Sequence, residues 1–337
     1  MTPSKEPLPA SPQEPKSGVL EGVSVILPVL NEELHISEAI TAILSQDYLG
    51  KLEIILALGP SHDGTVDIAQ ALQVKDPRII LVDNPTGRTA TGLNLALAQS
   101  HYSIVVRVDG HSQIPNDYVS MAVKILNETG AVNVGGVMGA EGVTSFEKCV
   151  ASAMRSPLGV GSSNFHTGGN PGPVDTVYLG CFKRSALEAV GGFDERFTRA
   201  QDWELNFRLR SAGGVVYFDP RLHVTYRPRK NLGALAKQYF EYGRWRRVVM
   251  RRHQGTANLR YLAPPFALLG TLLSVIFGIA LTPIFLIPAL VYLLFILGAS
   301  ILIGKGLSAK VRLPAILLVM HMSWGAGFLT SPKTLAP

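Results

Sequence analysis

Asp109-Gly110-His111 directly follows residues 102–108 (YSIVVRV), an apolar and β-branched run. A carboxylate and an imidazole one residue apart at the end of a strand can face one cleft and hold a divalent cation, Mg²⁺ or Mn²⁺, which neutralises a diphosphate. Imidazole in place of a second carboxylate inclines the choice toward Mn²⁺. The plain alternative is an Asp-Gly turn with a solvated histidine. Against the turn stands the company these residues keep. Asn31 and Glu32 follow Val23–Val29 (VSVILPV), Asp63 follows Leu52–Leu58 (LEIILAL), and Arg88 follows residues 78–82. Each polar group sits at the carboxyl end of an expected strand, where an open parallel sheet binds its ligands.

The elements that must position them alternate. Continuous apolar runs are the pattern of strands buried on both faces. Between them helices are expected from an Asn31 cap to about residue 46, from Thr65 to about residue 73, and over 91–99. This order predicts right-handed crossovers and an α/β, mostly parallel sheet with helices on both faces. No Gly-x-Gly-x-x-Gly follows an early strand, which argues against a dinucleotide dehydrogenase.

Apolar residues make up 47% of the 337, and they are concentrated. Residues 261–304 and 313–332 contain no Asp, Glu, Lys or Arg. A span needs about 20 apolar residues, so a three-helix transmembrane region is expected over 261–332, with spans near 262–281, 284–303 and 313–331. Residues 1–22, rich in Pro, Ser, Glu and Lys, read as a disordered tail without the apolar core of a secretory signal. Arg244, Arg246, Arg247, Arg251, Arg252 and Arg260 precede the first span, and Lys305, Lys310 and Arg312 occupy the loop before the third. By the positive-inside rule the protein is a multi-pass membrane protein, its first 260 residues cytoplasmic and its C-terminus outside. The +6 net charge is then explained by membrane lipids rather than nucleic acid, because the basic residues cluster beside the bilayer. Residues 231–260 read as a basic amphipathic interfacial segment. Cys149 and Cys181 have no metal or redox spacing.

In its motifs the chain resembles the family 2 glycosyltransferases of the GT-A fold, and among them the membrane-associated transferases of succinoglycan and other exopolysaccharides. The resemblance covers roughly residues 22–255. It rests on Pro28-Val-Leu-Asn-Glu32, Ser61-His-Asp-Gly-Thr65, Gly92-Leu-Asn94-Leu-Ala96, Asp109-Gly-His111, Gly191-Gly-Phe-Asp-Glu195 and Gln201-Asp-Trp-Glu204. It implies a GT-A catalytic domain over 23–230 that takes a nucleotide-sugar donor. Asp109 and His111 stand for the family's metal-binding Asp-x-Asp. Pro28, Asn31, Glu32 and Asp63 lie where the nucleotide is held, and Arg88 where a basic residue meets base or phosphate. UDP-sugars are the commonest donors, although the acidic pair that ends the second strand in many relatives is Leu58-Gly59 here.

Asp202 matches the family's general base. Inverting transfer needs a carboxylate opposite the leaving diphosphate to take the acceptor's proton. Asp202 also opens an expected helix over 202–211, so it reads equally as an N-cap. Glu204 reads either as an acceptor or metal-water ligand or as an i, i+4 partner of Arg208. Residues 177–184 resemble the acceptor-side segment, where Gly180 and Cys181 let the backbone approach a sugar; a plain core strand is the other reading. His223 is a third candidate metal or diphosphate ligand, with a structural histidine as the alternative. Trp245 either stacks on an acceptor sugar or seats the helix of residues 235–253 at headgroup level. His321, within the third span, reads as a functional group or as a neutral imidazole hydrogen-bonding between helices.

The function expected is inverting, metal-dependent transfer from a nucleotide-diphosphate sugar to a lipid-linked, polyprenyl-type acceptor in polysaccharide or cell-envelope glycan synthesis. A polyprenyl-phosphate sugar synthase is the second reading. A non-catalytic membrane scaffold or transport component with a degenerate nucleotide fold is the third.

Overall fold

The computed structural model describes residues 20–335; of the expected tail, residues 1–19 lie outside them. The chain opens with β1 (Val23–Val29), α1 (Ile36–Leu44), β2 (Leu52–Leu58), α2 (Thr65–Lys75), β3 (Ile79–Asp83), α3 (Thr89–Gln99), β4 (Ile104–Arg107), α4 (Tyr118–Thr129) and β5 (Asn133–Ala140). After α5 (Ser145–Met154) and two single-turn helices, α6 (Pro157–Val160) and α7 (Asn164–Thr167), come β6 (Gly172–Pro173), β7 (Tyr178–Lys183), α8 (Arg184–Ala189), α9 (Gln201–Ser211) and β8 (Val216–Tyr226). Helix α10 (Leu232–Arg252) leads to three apolar helices, α11 (Leu259–Ala280), α12 (Ile287–Ile303) and α13 (Leu307–Thr330).

One eight-stranded sheet runs in the order β3-β2-β1-β4-β7-β5-β8-β6. The β1–β2, β1–β4, β2–β3 and β5–β8 pairs are parallel, while β7 lies antiparallel between β4 and β5. The apolar runs of β1 and β2 feed two cores. Val25, Leu27, Ile54 and Leu56 pack beneath α1 and α4, and Ile26, Ile55 and Ala57 beneath α3. Burial on both faces, at about 1.5–3 kcal/mol per large aliphatic side chain, fixes these strands rigidly, so the loops at their ends start from defined points. The fold is the mixed, mostly parallel GT-A type.

The first helix starts later than the Asn31 cap predicts. Asn31 is left-handed, with φ 55°, and α1 begins at Ile36. Its side chain bonds away from its own helix: Oδ1 accepts from the His62 amide at 2.9 Å.

Helices α11, α12 (with the turn that precedes it) and α13 are each long and apolar enough to cross a membrane. They differ in burial: 17% of the apolar window in each of the first two, against 39% in α13. Helix α13 runs beside α10. Gly243 of α10 meets the Trp324 carbonyl, and Gly327 of α13 meets the Phe240 carbonyl, so closely that neither position has room for a Cβ. Farther along, Leu313, Ile316 and Leu317 pack against Cys149, Val150 and Ala153 of α5. At its C-terminal end Arg247 donates to the Phe328 carbonyl at 3.0 Å and Arg251 to the Ser331 carbonyl at 2.7 Å. Cations on the last carbonyls satisfy a helix C-terminus. Two of the arginines expected at lipid headgroups are therefore engaged in capping α13.

Candidate active site

Strand β4 ends at Arg107, and its guanidinium organises the site. Arg107 is 3% exposed. It donates to Asp109 Oδ1 from Nη2 at 2.9 Å and from Nε at 3.2 Å, and its Nη1 pairs with Asp202. Two residues apart on extended chain, Arg107 and Asp109 point the same way. Asp202 arrives from the first turn of α9, where Ala200, left-handed at φ 59°, is the cap residue. The N-cap reading of Asp202 is thereby displaced, and its carboxylate is left to face the cavity.

These surroundings separate the two acids. Burial alone would raise Asp109, but the charges of Arg107 and His111 hold it below the usual carboxylate range. Burial pushes Asp202 up to about 6, against the pull of Arg107 and with the charge of Asp109 adding to the rise. Two carboxylates pushed apart in this way suit different tasks.

His111 Nδ1 bonds Glu32 Oε1 at 2.8 Å. A carboxylate on one imidazole nitrogen orients the ring and leaves Nε2 to a metal, as in carboxylate–histidine–metal arrangements. Asp109 and His111 thus fit a divalent cation, which they would hold at the edge of the cavity. Among the described residues no three His, Cys, Asp or Glu side chains converge as a metal group. His223 does not join them: it is exposed on β8, its ring lying over Gly139.

The expected nucleotide residues form a neighbouring set of interlocked loops. Ser61 Oγ accepts from the Asn31 amide at 3.0 Å, and Thr65 Oγ1 from the Glu32 amide at 2.8 Å. Asp63 accepts from the Thr65 amide at 3.1 Å and the Glu33 amide at 3.3 Å, and the Thr65 hydroxyl holds its pKa low. Pro28 lies within β1, and Arg88 is exposed at the start of α3. Glu32 connects this shelf to His111.

A cavity of about 630 Å³ brings together Asp109, His111, Asp202 and Trp245. Its far wall is made by the apolar helices: Tyr261 and Pro264 of α11, Tyr292 and Phe295 of α12, His321 and Trp324 of α13. Trp245 is 3% exposed and packs on Phe197, with ring centroids 5.7 Å apart, so it is a wall residue and not a headgroup anchor. His321 bonds the Tyr292 hydroxyl at 3.2 Å and the Leu158 carbonyl at 3.1 Å, the inter-helix role.

Three expected acceptor residues lie elsewhere. Cys181 is fully buried between Val106 and Val134 in the sheet, and burial pushes its thiol up. Gly180, at φ 130°, has the Phe182 ring and Asn133 Oδ1 within 2.6 Å of any added Cβ, so glycine is required there by sheet packing. Glu204, 1% exposed, accepts from Arg208 Nη2 at 2.7 Å and bonds His253 at 3.0 Å, which ties α9 to the end of α10. The strand of Gly180 reaches the cavity through Tyr178 instead. Arg107 itself is hidden in the sequence within an apolar run; its spacing of two from Asp109 was the available signal.

Asp109, just after β4, and Asp202, in the first turn of α9, thus face one cavity beside a mixed, mostly parallel sheet, and comparison with known proteins gives the class. Residues 24–191 match the family Glycosyl transferase family 2. The chain is 32% identical over 312 residues to the succinoglycan biosynthesis protein ExoA of Rhizobium meliloti (strain 1021), covering 90% of this chain and 93% of that one. It is 25% identical, over 91% of its length and 95% of the relative's, to a dolichyl N-acetyl-α-D-glucosaminyl phosphate glycosyltransferase of Methanococcus voltae that transfers a diacetamido-dideoxy-glucuronosyl group. Among solved structures, the mannosyltransferase PcManGT of Pyrobaculum calidifontis, in complex with GDP-Man and Mn²⁺, superposes with a TM-score of 0.58 at 22% identity, covering 94% of this chain and 90% of that one. TarS 1-349 of S. aureus, in complex with UDP-GlcNAc, gives 0.51 at 17% identity, over 69% and 67% of the two chains. This chain belongs to glycosyl transferase family 2.

Proposed function

We propose that the enzyme transfers a sugar, with inversion, from a nucleotide-diphosphate donor to a lipid-linked acceptor in the assembly of a polysaccharide or cell-envelope glycan. The observation that carries this reading is the single cavity that joins Asp109, His111 and Asp202 to the apolar helices. A soluble acceptor has no need of a site walled by α11–α13. The relative named for succinoglycan biosynthesis and the one named for a dolichyl-linked substrate support both polymer assembly and a lipid carrier. Neighbours holding UDP-GlcNAc and GDP-Man with Mn²⁺ support a nucleotide-sugar donor, with UDP-sugars the first choice, and a divalent cation.

Asp109 and His111 would hold the cation, which supplies charge neutralisation for the departing diphosphate. The loops around Asn31, Glu32 and Asp63 seat the nucleotide, with Arg88 at their edge. Arg107 holds Asp202 in place, and Asp202, ionised near neutral pH, accepts the proton of the acceptor hydroxyl as it attacks the anomeric carbon. If the acceptor is instead a lipid phosphate, already ionised, Asp202 becomes dispensable, so Asp202→Asn separates a hydroxyl-directed transferase from a polyprenyl-phosphate sugar synthase.

For the membrane, the packing of α13 along α10 and α5 favours an inserted α11–α12 hairpin with α13 lying at the interface. The C-terminus is then on the catalytic, cytoplasmic side, in place of the outside position that three full spans would give. Both basic clusters stay inside in this arrangement.

The test is a nucleotide-sugar panel with purified protein in nanodiscs, short-chain polyprenyl-diphosphate sugars as acceptors, and proton NMR of the product. An α-linked donor should yield a β-linked product only with Mn²⁺ or Mg²⁺ present. Retention of configuration, or full activity in chelator, contradicts the proposal.

A further inference from the structure

Between the acid pair and the apolar helices stands a cation that the transfer chemistry above leaves unused. Arg246, on α10, is 3% exposed and lines the cavity. Its guanidinium carbon lies 3.0 Å from the Trp203 ring centroid and 3.2 Å from that of Tyr261, between two rings whose centroids are 5.5 Å apart. Among the described residues its Nε and Nη2 have no hydrogen-bond partner, and no carboxylate pairs with it. The rings supply π density to the charge but no oxygen to the N–H groups. A buried charge without partner or hydrogen bonds is strongly unfavourable, and a guanidinium fork is shaped for two oxygens of a phosphate.

Two further side chains on the same cavity wall also carry unpartnered nitrogens. Arg260 reaches the same cavity; it bonds the Ser162 carbonyl at 2.6 Å and pairs with Asp175, yet its Nε is unpartnered. Half-buried His166, also on the cavity wall, has a buried, unpartnered Nδ1. Three donor-bearing side chains thus line one cavity, and of the three only Arg260 has a carboxylate partner, Asp175. Trp203, which stacks on Arg246, follows Asp202 in α9, and all three line the same cavity. On the other side the cavity opens to Tyr292, Phe295 and Met320 of the apolar helices, where a hydrocarbon chain fits.

Resting on the lipid-acceptor reading, we infer that Arg246, with Arg260 and His166, binds the phosphate group that joins the acceptor to its lipid. The ligand class is a prenyl phosphate or diphosphate ester, with phosphate against Arg246 and chain toward α12 and α13. This assigns Arg246 a binding role distinct from donor recognition by the loops at Asn31, Glu32 and Asp63.

The experiment compares binding of a short-chain prenyl phosphate, the matching prenyl alcohol, inorganic phosphate and UDP to the full chain in nanodiscs, by calorimetry and without turnover. For the wild type we expect the prenyl phosphate to bind about tenfold to hundredfold more tightly than the alcohol, the range of a charge-assisted hydrogen bond, with inorganic phosphate weaker than the prenyl ester. Arg246→Met should remove that preference while UDP affinity stays within about twofold, and Arg246→Lys should restore part of it. Equal binding of phosphate and alcohol by the wild type overturns the inference, and that comparison stands even if Arg246→Met does not fold. A loss in Arg246→Met that falls on UDP instead also overturns it. Failure to bind any nucleotide sugar would instead strike the proposed function, which separates the two failures.

Discussion

Arg107 pairs with Asp202 across the sheet-to-helix gap while its other N–H groups hold Asp109 at 2.9 and 3.2 Å. One buried guanidinium therefore sets the relative position of two carboxylates from chain segments 93 residues apart (202 minus 109). Removing it leaves both acids in a partly desolvated cavity. Arg107→Met is expected to cost about 3 kcal/mol, the lower end for breaking a buried ion pair, because Asp109 and Asp202 retain 19% and 25% side-chain exposure. Thermal unfolding in detergent reads this. The loss should shrink at acid pH as the carboxylates protonate.

The raised pKa of Asp202 makes a pH prediction with two opposite signs. As a base the residue must be ionised, so kcat/KM with a hydroxyl acceptor should fall about tenfold per unit below pH 6. Stability behaves the other way. The folded pKa of about 6 lies above the unfolded value of about 3.9, so the folded chain holds this proton more tightly. The contribution is fully present below about pH 4 and is lost as pH rises through 6. A rate profile without an acid limb near 6 would remove Asp202 as the base.

Glu32 bonds His111 at 2.8 Å, and on the proposed reading it acts through that ring. With Glu32→Gln the imidazole loses its anionic partner, and apparent Mn²⁺ affinity should drop about 10- to 100-fold while saturating Mn²⁺ restores most of kcat. Measuring rate against Mn²⁺ concentration separates this from a folding defect, which excess metal would not repair.

The placement of α13 along α10 predicts that a tag at the C-terminus is reached by a protease from the cytoplasmic side in spheroplast-derived inverted vesicles. Protection there, with cleavage in right-side-out vesicles, would restore the three-span arrangement.

The sequence was most legible where one force dominates. The runs Val23–Val29 and Leu52–Leu58 are strands over those residues, because complete burial on both faces leaves no ambiguity of period. The apolar helices were legible from uncharged length alone. What hydropathy does not encode is packing direction: α13 is as apolar as a span requires, yet Gly243 and Gly327 seat it against α10. Long-range polar pairing was equally hidden. Asn31 looks like a helix cap but ties two loops together; the Glu204–Arg208 pair was open to the i, i+4 spacing, whereas the bond from Glu204 to His253, 49 residues away, was not. Cys181, open to an acceptor-side or a core-strand reading, takes the second, because β7 is sandwiched between β4 and β5. Asp109, His111 and Asp202 came together as their motifs suggested, whereas Arg107 and Arg246 required coordinates, since each is a charge defined by what surrounds it.

The most direct test is a split between binding and turnover in two variants. With Mn²⁺ and a UDP- or GDP-sugar, Asp109→Ala should lose most nucleotide-dependent thermal stabilisation. Asp202→Asn should keep that stabilisation and lose about 10²- to 10⁴-fold in kcat with a hydroxyl-bearing lipid acceptor, the usual contribution of a general base. Undiminished nucleotide stabilisation in Asp109→Ala, together with wild-type turnover in Asp202→Asn, would contradict the account.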